Sequence, residues 1–100
     1  MAPPARPRLR TVTSQQAPAN PVTQLELVQL LQKRSVIEVV IVEVEPGQYQ
    51  VHLVVIWRFG RSVLLGSSGR PRTFRSLDTL ATQLKTLGIG QTLVRMELLE

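Results

Sequence analysis

The chain has 100 residues, with 12 Lys and Arg against 7 Asp and Glu, one histidine and no cysteine. That length allows one domain, and the missing cysteine excludes disulfides, thiol catalysis and cysteine-ligated metals. The longest uncharged apolar run, Val51–Trp57, is too short to span a membrane, and the N-terminus lacks a signal-peptide core, so a cytoplasmic protein is expected.

Residues 1–22 hold five of the 7 prolines, Arg6, Arg8 and Arg10, and no acid. A segment this poor in large apolar side chains cannot bury enough surface to offset its ordering entropy. It is expected to be a disordered basic tail, leaving 23–100 as a single α+β domain. A unit of that size stands near the lower limit for independent folding, so a dimer interface would help it.

The first expected element is a helix over 23–34. Thr23 and Glu26 have the spacing of a capping box. Leu25, Leu27, Val28, Leu30 and Leu31 then form an apolar stripe, and Lys33 and Arg34 suit a helix C-terminus.

Residues 36–45 are β-branched to an extent that favours a strand. Pro46-Gly47 supplies a turn, and Gln48–Arg58 alternates as a second strand. Closing the hairpin there sets Val44 opposite Tyr49, Val42 opposite Val51, Val40 opposite Leu53 and Val36 opposite Trp57, all on a core face. The other face then carries Glu45, Glu43, Gln48 and Gln50 near the turn, with Ile41 facing His52, Val39 facing Val54 and Ile37 facing Ile56. On this register Ile37, Val39, Ile41, Val54 and Ile56 form an apolar patch that a helix or a partner must cover.

Phe59-Gly60-Arg61 makes the next turn, followed by a short strand at 62–65, a Gly66-Ser-Ser-Gly69 loop and a brief extended segment at 72–74. Ser76 caps a helix running to Leu87, with Leu77, Leu80, Ala81, Leu84 and Leu87 on one face and Gly88 as its stop. A strand over 92–99 closes the chain. The expected fold is α+β, a mainly antiparallel sheet of three to five strands with an N-terminal helix and a second helix packed on it.

The residue inventory argues against catalysis. His52 stands alone on a strand, and Glu43 and Glu45 flank a hairpin tip where nothing shelters them as an acid–base pair. No His, Cys, Asp or Glu cluster has metal-ligand spacing, and no cofactor or small-molecule substrate is indicated. Gly66-Ser-Ser-Gly-Arg leads to Pro71, without the lysine and helix start of a phosphate-binding loop. A non-enzymatic role is therefore expected.

The positive charge suggests a partner. Arg58, Arg61, Arg70, Arg72 and Arg75 crowd one acid-free stretch, interleaved with Trp57, Phe59 and Phe74. Guanidinium groups pair with phosphates and reach guanine edges, and the basic tail could track a nucleic-acid backbone. Trp57 and Phe74 also suit core positions, with the arginines turned outward. DNA is thus one expected partner. The alternative is a second copy or another protein docking on the apolar patch at Ile37, Val39, Ile41, Val54 and Ile56.

Two resemblances accompany this reading. The antiparallel strands and helix over 36–88 resemble the sheet-reading DNA-binding domains of plant ethylene-response factors and integrase arms. That resemblance implies a basic, aromatic exposed sheet face, whereas this one is Glu, Gln, Ile and Val. The run Gly69-Arg-Pro-Arg-Thr-Phe-Arg-Ser-Leu-Asp-Thr-Leu through Gly88 is similar to small proteins carried by bacterial plasmids and integrative conjugative elements, which implies an accessory protein without a known activity.

Overall fold

The computed structural model describes residues 20–100, so Arg6, Arg8 and Arg10 lie outside the described residues. In chain order the elements are β1 (Asn20–Val22), α1 (Gln24–Gln32), β2 (Val36–Glu45), β3 (Gln48–Val55), β4 (Ser62–Leu64), α2 (Leu77–Leu87) and β5 (Leu93–Glu97). They build one five-stranded sheet in the order β1-β4-β3-β2-β5. β2, β3 and β4 form an antiparallel meander, while both edge strands run parallel to their neighbours, β1 to β4 and β5 to β2. The fold is α+β as expected, but the sheet is mixed. Residues 20–22, assigned by composition to the tail, are strand.

Local chemistry sets both helix starts. At α1 the Thr23 hydroxyl accepts from the Glu26 N–H at 3.1 Å, and the Glu26 carboxylate accepts from the Thr23 N–H at 2.8 Å. At α2 the Ser76 hydroxyl accepts from the Thr79 N–H, and Gly88 ends the helix in the left-handed conformation at φ 96°. Leu27, Leu30 and Leu31 of α1 and Leu80, Leu84 and Leu87 of α2 are buried on the same face of the sheet. There they meet Val39, Ile41, Val51, Leu53, Val55 and Leu64.

The hairpin register differs from the expected one by a single residue. Glu45 pairs with Gln48 as anticipated, but Val44 is then bulged out, so Ile41 faces Val51, Val40 faces His52 and Val39 faces Leu53. A second irregularity at Ile37 brings Val36 opposite Val55. A one-residue slip exchanges the faces of a strand. Val39 and Ile41 therefore enter the core, and Val40 and Val42 turn to the face that carries no helix. The expected patch does not exist as one surface: Val39 and Ile41 are buried, Val54 is half-buried, and only Ile37 and Ile56 are well exposed.

The same slip and the early end of β3 release Trp57. It was expected on the core face opposite Val36 and is instead 58% exposed. Phe74, by contrast, is buried, and its backbone exchanges both hydrogen bonds with Tyr49 (2.7 and 2.8 Å).

Candidate nucleic-acid interface

Four of the five arginines from the acid-free stretch make no ion pair among the described residues: Arg58, Arg70, Arg72 and Arg75. Arg58 lies in the β3–β4 loop, where its backbone N–H donates to the Val55 carbonyl at 3.0 Å. The others follow β4, where Arg72 donates its backbone N–H to the Leu64 carbonyl at 2.9 Å. The two loops thus border opposite ends of the three-residue β4, at the side of the sheet that ends in β1. The strand acids lie on the other side, Glu38, Glu43 and Glu45 on β2 and Glu97 on β5. The sheet is polarised, basic around β4 and acidic along β2, while β5 balances Glu97 with Arg95.

The arginines are held differently. Arg72 lies over the Phe74 ring with its guanidinium carbon 4.6 Å from the centroid, a cation–π contact that orients the head group. Arg70 and Arg75 are exposed, and Arg58 is half-buried. The Glu26 carboxyl is held below its usual range mainly by the Thr23 N–H and hydroxyl, with Arg58 adding a smaller effect. Arg61 is not available in the same way, because its guanidinium forks onto the Glu97 carboxylate.

The β3–β4 loop turns two of the aromatics interleaved with the arginines outward. Phe59 is 99% exposed, beside exposed Trp57 and Ile56. The Asn20 side-chain amide donates to the Phe59 carbonyl at 3.2 Å, and Gly60 turns the chain at φ 74°. The loop is tied at its backbone while its large side chains face outward. The signal in the sequence was Phe59-Gly60, a turn placed too soon after Trp57 for the strand to extend through it.

The Gly66-Ser-Ser-Gly69 loop engages both of its glycine N–H groups internally. Gly66 N–H donates to the Arg70 carbonyl at 2.8 Å, Gly69 N–H to the Gly66 carbonyl at 3.0 Å, and Arg70 N–H to the Ser68 hydroxyl at 3.4 Å. The chain then bridges from Pro71 back to Leu65. These three N–H groups are engaged within the turn and are not free to cradle a phosphate. The loop does line a shallow groove with the first turn of α1, into which Arg70 and Arg72 contribute.

The sheet face without helices is covered by charge. Arg61 precedes β4, and Glu97 lies on β5 with two strands between them. The bridge runs diagonally over the row Val63, His52, Val40 and Arg95 set by the strand pairings. Val63, His52 and Val40 are all buried there, although no described helix packs on that side. Arg95 extends the network to Glu97 at 2.8 Å and to Glu38 at 2.9 Å.

His52 is trapped beneath this network. Its Nε2 donates to the Gln50 side-chain carbonyl at 3.1 Å, and its Nδ1 is buried without a partner among the described residues. Burial, and then the nearby Arg61 charge, push the imidazole down to about 4, against a smaller opposing effect of Glu97. At neutral pH it is an uncharged part of the sheet. No group of three His, Cys, Asp or Glu that could hold a metal exists among the described residues, and no described helix is long and apolar enough to cross a membrane. In comparison with known proteins, no family model, curated protein or solved structure matches this chain.

Proposed function

We propose that the protein is a non-enzymatic accessory factor that binds nucleic acid, DNA in the first instance, along the basic β4 side of its sheet. The observation that carries this reading is the polarised sheet, with Arg58, Arg70, Arg72 and Arg75 free of ion pairs among the described residues on one side and most strand acids on the other. Exposed Trp57 and Phe59 beside Arg58 add surfaces on which bases can stack. The readout departs from that of ethylene-response factors, because the helix-free face is sealed by the Arg61–Glu97–Arg95 network. Contacts would come from the loops instead. The likeness of Gly69–Gly88 to proteins of bacterial plasmids and conjugative elements is consistent with an accessory role in a bacterial cytoplasm.

Trp57 is the sole tryptophan, so its fluorescence reports binding directly. Titration with a duplex and with a single strand at two salt concentrations should give affinity that falls as salt rises. An Arg72→Ala/Arg75→Ala variant should bind more weakly and with a flatter salt dependence. No salt-dependent binding of either probe would refute the reading.

A second reading, a protein-docking surface, is favoured by one observation: Ile37, Ile56, Trp57 and Phe59 are each more than half exposed at the sheet end away from the hairpin turn. Large apolar side chains gathered this way mark interaction sites more often than bare surface. It would be supported if Phe59→Ala abolished capture of a partner while nucleic-acid affinity stayed unchanged.

A further inference from the structure

We infer that two copies of this chain pair antiparallel through β5, about a two-fold axis at Met96, to form one continuous ten-stranded sheet. The inference is independent of nucleic-acid binding and uses the opposite edge of the sheet.

β5 ends the sheet, and nothing among the described residues pairs with its outer side. Such an edge presents unpaired N–H and C=O groups that natural proteins normally blunt or cover. Here the five-residue edge strand and the residues after it carry several exposed apolar side chains. Leu93 is 61% exposed, Val94 and Met96 are each 42%, and Leu98 and Leu99 are 56% and 50%. The segment also continues past β5 alongside β2, because the Leu99 N–H donates to the Glu43 carboxylate at 3.0 Å.

The charges select the occupant. An isologous pairing is the same patch meeting itself, so the strand must be complementary to its own reverse. A two-fold axis at Arg95 would oppose arginine to arginine, and an axis at Glu97 would oppose acid to acid. An axis at Met96 sets Arg95 against Glu97 of the second copy twice over, Val94 against Leu98 and Leu93 against Leu99. From Leu93 to Leu99 each cross-strand pair is then opposite in charge or apolar on both sides. The existing network Arg61–Glu97 and Arg95–Glu38 would run on from one copy into the other across the helix-free face. An edge meant to repel copies of itself would carry charges of one sign.

Two measurements on the full chain test this. In sedimentation equilibrium the wild type should dimerise. Arg95→Glu alone and Glu97→Arg alone should each weaken association by about tenfold, since like charges then oppose one another at two positions. An equimolar mixture of the two variants should recover dimers, because unlike copies restore the opposite-charge pairs. A wild type that stays monomeric at about 100 µM, or variants whose mixture shows no recovery, overturns the proposal.

Those variants also touch ion pairs within one copy, so cross-linking supplies a second arm. The chain contains no cysteine, and paired residues of antiparallel strands have Cα atoms about 4.5–5.5 Å apart, within disulfide reach. Met96→Cys should therefore oxidise to a covalent dimer. Thr92→Cys, about 27 Å from its copy in this register, should not. Equal cross-linking at both positions, or at neither, overturns the Met96 axis.

Discussion

The guanidinium of Arg61 grips the Glu97 carboxylate across the helix-free face of the sheet, spanning from the start of β4 to β5. Both nitrogen–oxygen contacts are made, with Nη1 donating to Oε1 at 2.8 Å. This pair replaces the layer of helices that the face lacks, since Val40 and His52 are sealed below it. Hydrogen bonding from Arg61, ahead of the smaller contribution of Arg95, holds the Glu97 carboxyl down at about 2.

Arg61→Ala should therefore do two things at once. It should cost about 1–3 kcal/mol, the range for losing a charge-assisted, partly buried pair, read as a lowered chemical denaturation midpoint. It should also raise the His52 pKa towards 6.5, because the substitution lifts burial and removes the nearby positive charge. The chain has one histidine, so NMR titration of a single imidazole checks the second effect. An unchanged His52 titration in the variant would show that Arg61 does not cover it.

The same two groups make the stability depend on pH. His52 titrates at about 4 in the folded protein against 6.5 in the unfolded chain, so the unfolded state binds the proton first. Stability from this group is full above pH 6.5 and falls as pH drops from 6.5 towards 4, by up to about 3 kcal/mol. Glu97 adds a second loss as pH falls from 4.5 towards 2, when its carboxylate is protonated and Arg61 loses its partner. Denaturation curves at pH 7, 5 and 4 should show the first decline and a curve at about pH 2.5 the second, and His52→Leu should abolish the first while leaving the second.

Much of this fold was legible in local chemistry and little of it in the strand run. Thr23, Glu26, Ser76 and Gly88 act within one helical turn, where the sequence and the structure have the same information. The β2 run Val36–Glu45 is apolar on both sides, so alternation cannot say which side faces the helices. One bulged residue, Val44, decided it and moved Ile41 and Val39 inward. The edge strands were harder still. β1 has three residues and includes a proline, and its parallel partner β4 lies about forty residues away. The arginine loops could be read as basic. That Arg61 alone among them pairs with an acid in the described residues depended on Glu97, which only the topology brings near.

Glu43 should prove to be the clamp that keeps the bulged hairpin joined to the C-terminal strand. One carboxylate oxygen accepts from the Gly47 N–H at 3.0 Å in the turn, and the other accepts from the Leu99 N–H at 3.0 Å beyond β5. Glu43→Ala removes both acceptors, and two exposed charge-assisted bonds are together worth about 1–2 kcal/mol. Hydrogen exchange should quicken selectively at Gly47 and Leu99. Equal acceleration throughout the sheet would argue against a local clamp.

The ends of the two helices give opposite predictions from the same geometry. α1 closes with Arg34 at φ 57°, the sole non-glycine residue with positive φ among those described, and α2 closes with Gly88 at φ 96°. In both, the chain turns back so that following N–H groups reach the last helical carbonyls: Ser35 donates to Leu30, and Ile89 to Leu84. A side chain in the left-handed region costs about 1 kcal/mol, which glycine avoids. Arg34→Gly should accordingly stabilise the protein by up to about 1 kcal/mol, or roughly 4–8 °C in Tm for a unit of this size. Gly88→Ala should destabilise it by at least as much. A Cβ there would meet nothing within 4 Å, so the loss would be a backbone cost and not a clash. Thermal melts of the two variants beside the wild type decide the matter, and a shift of the same sign in both would rule out backbone strain as the cause.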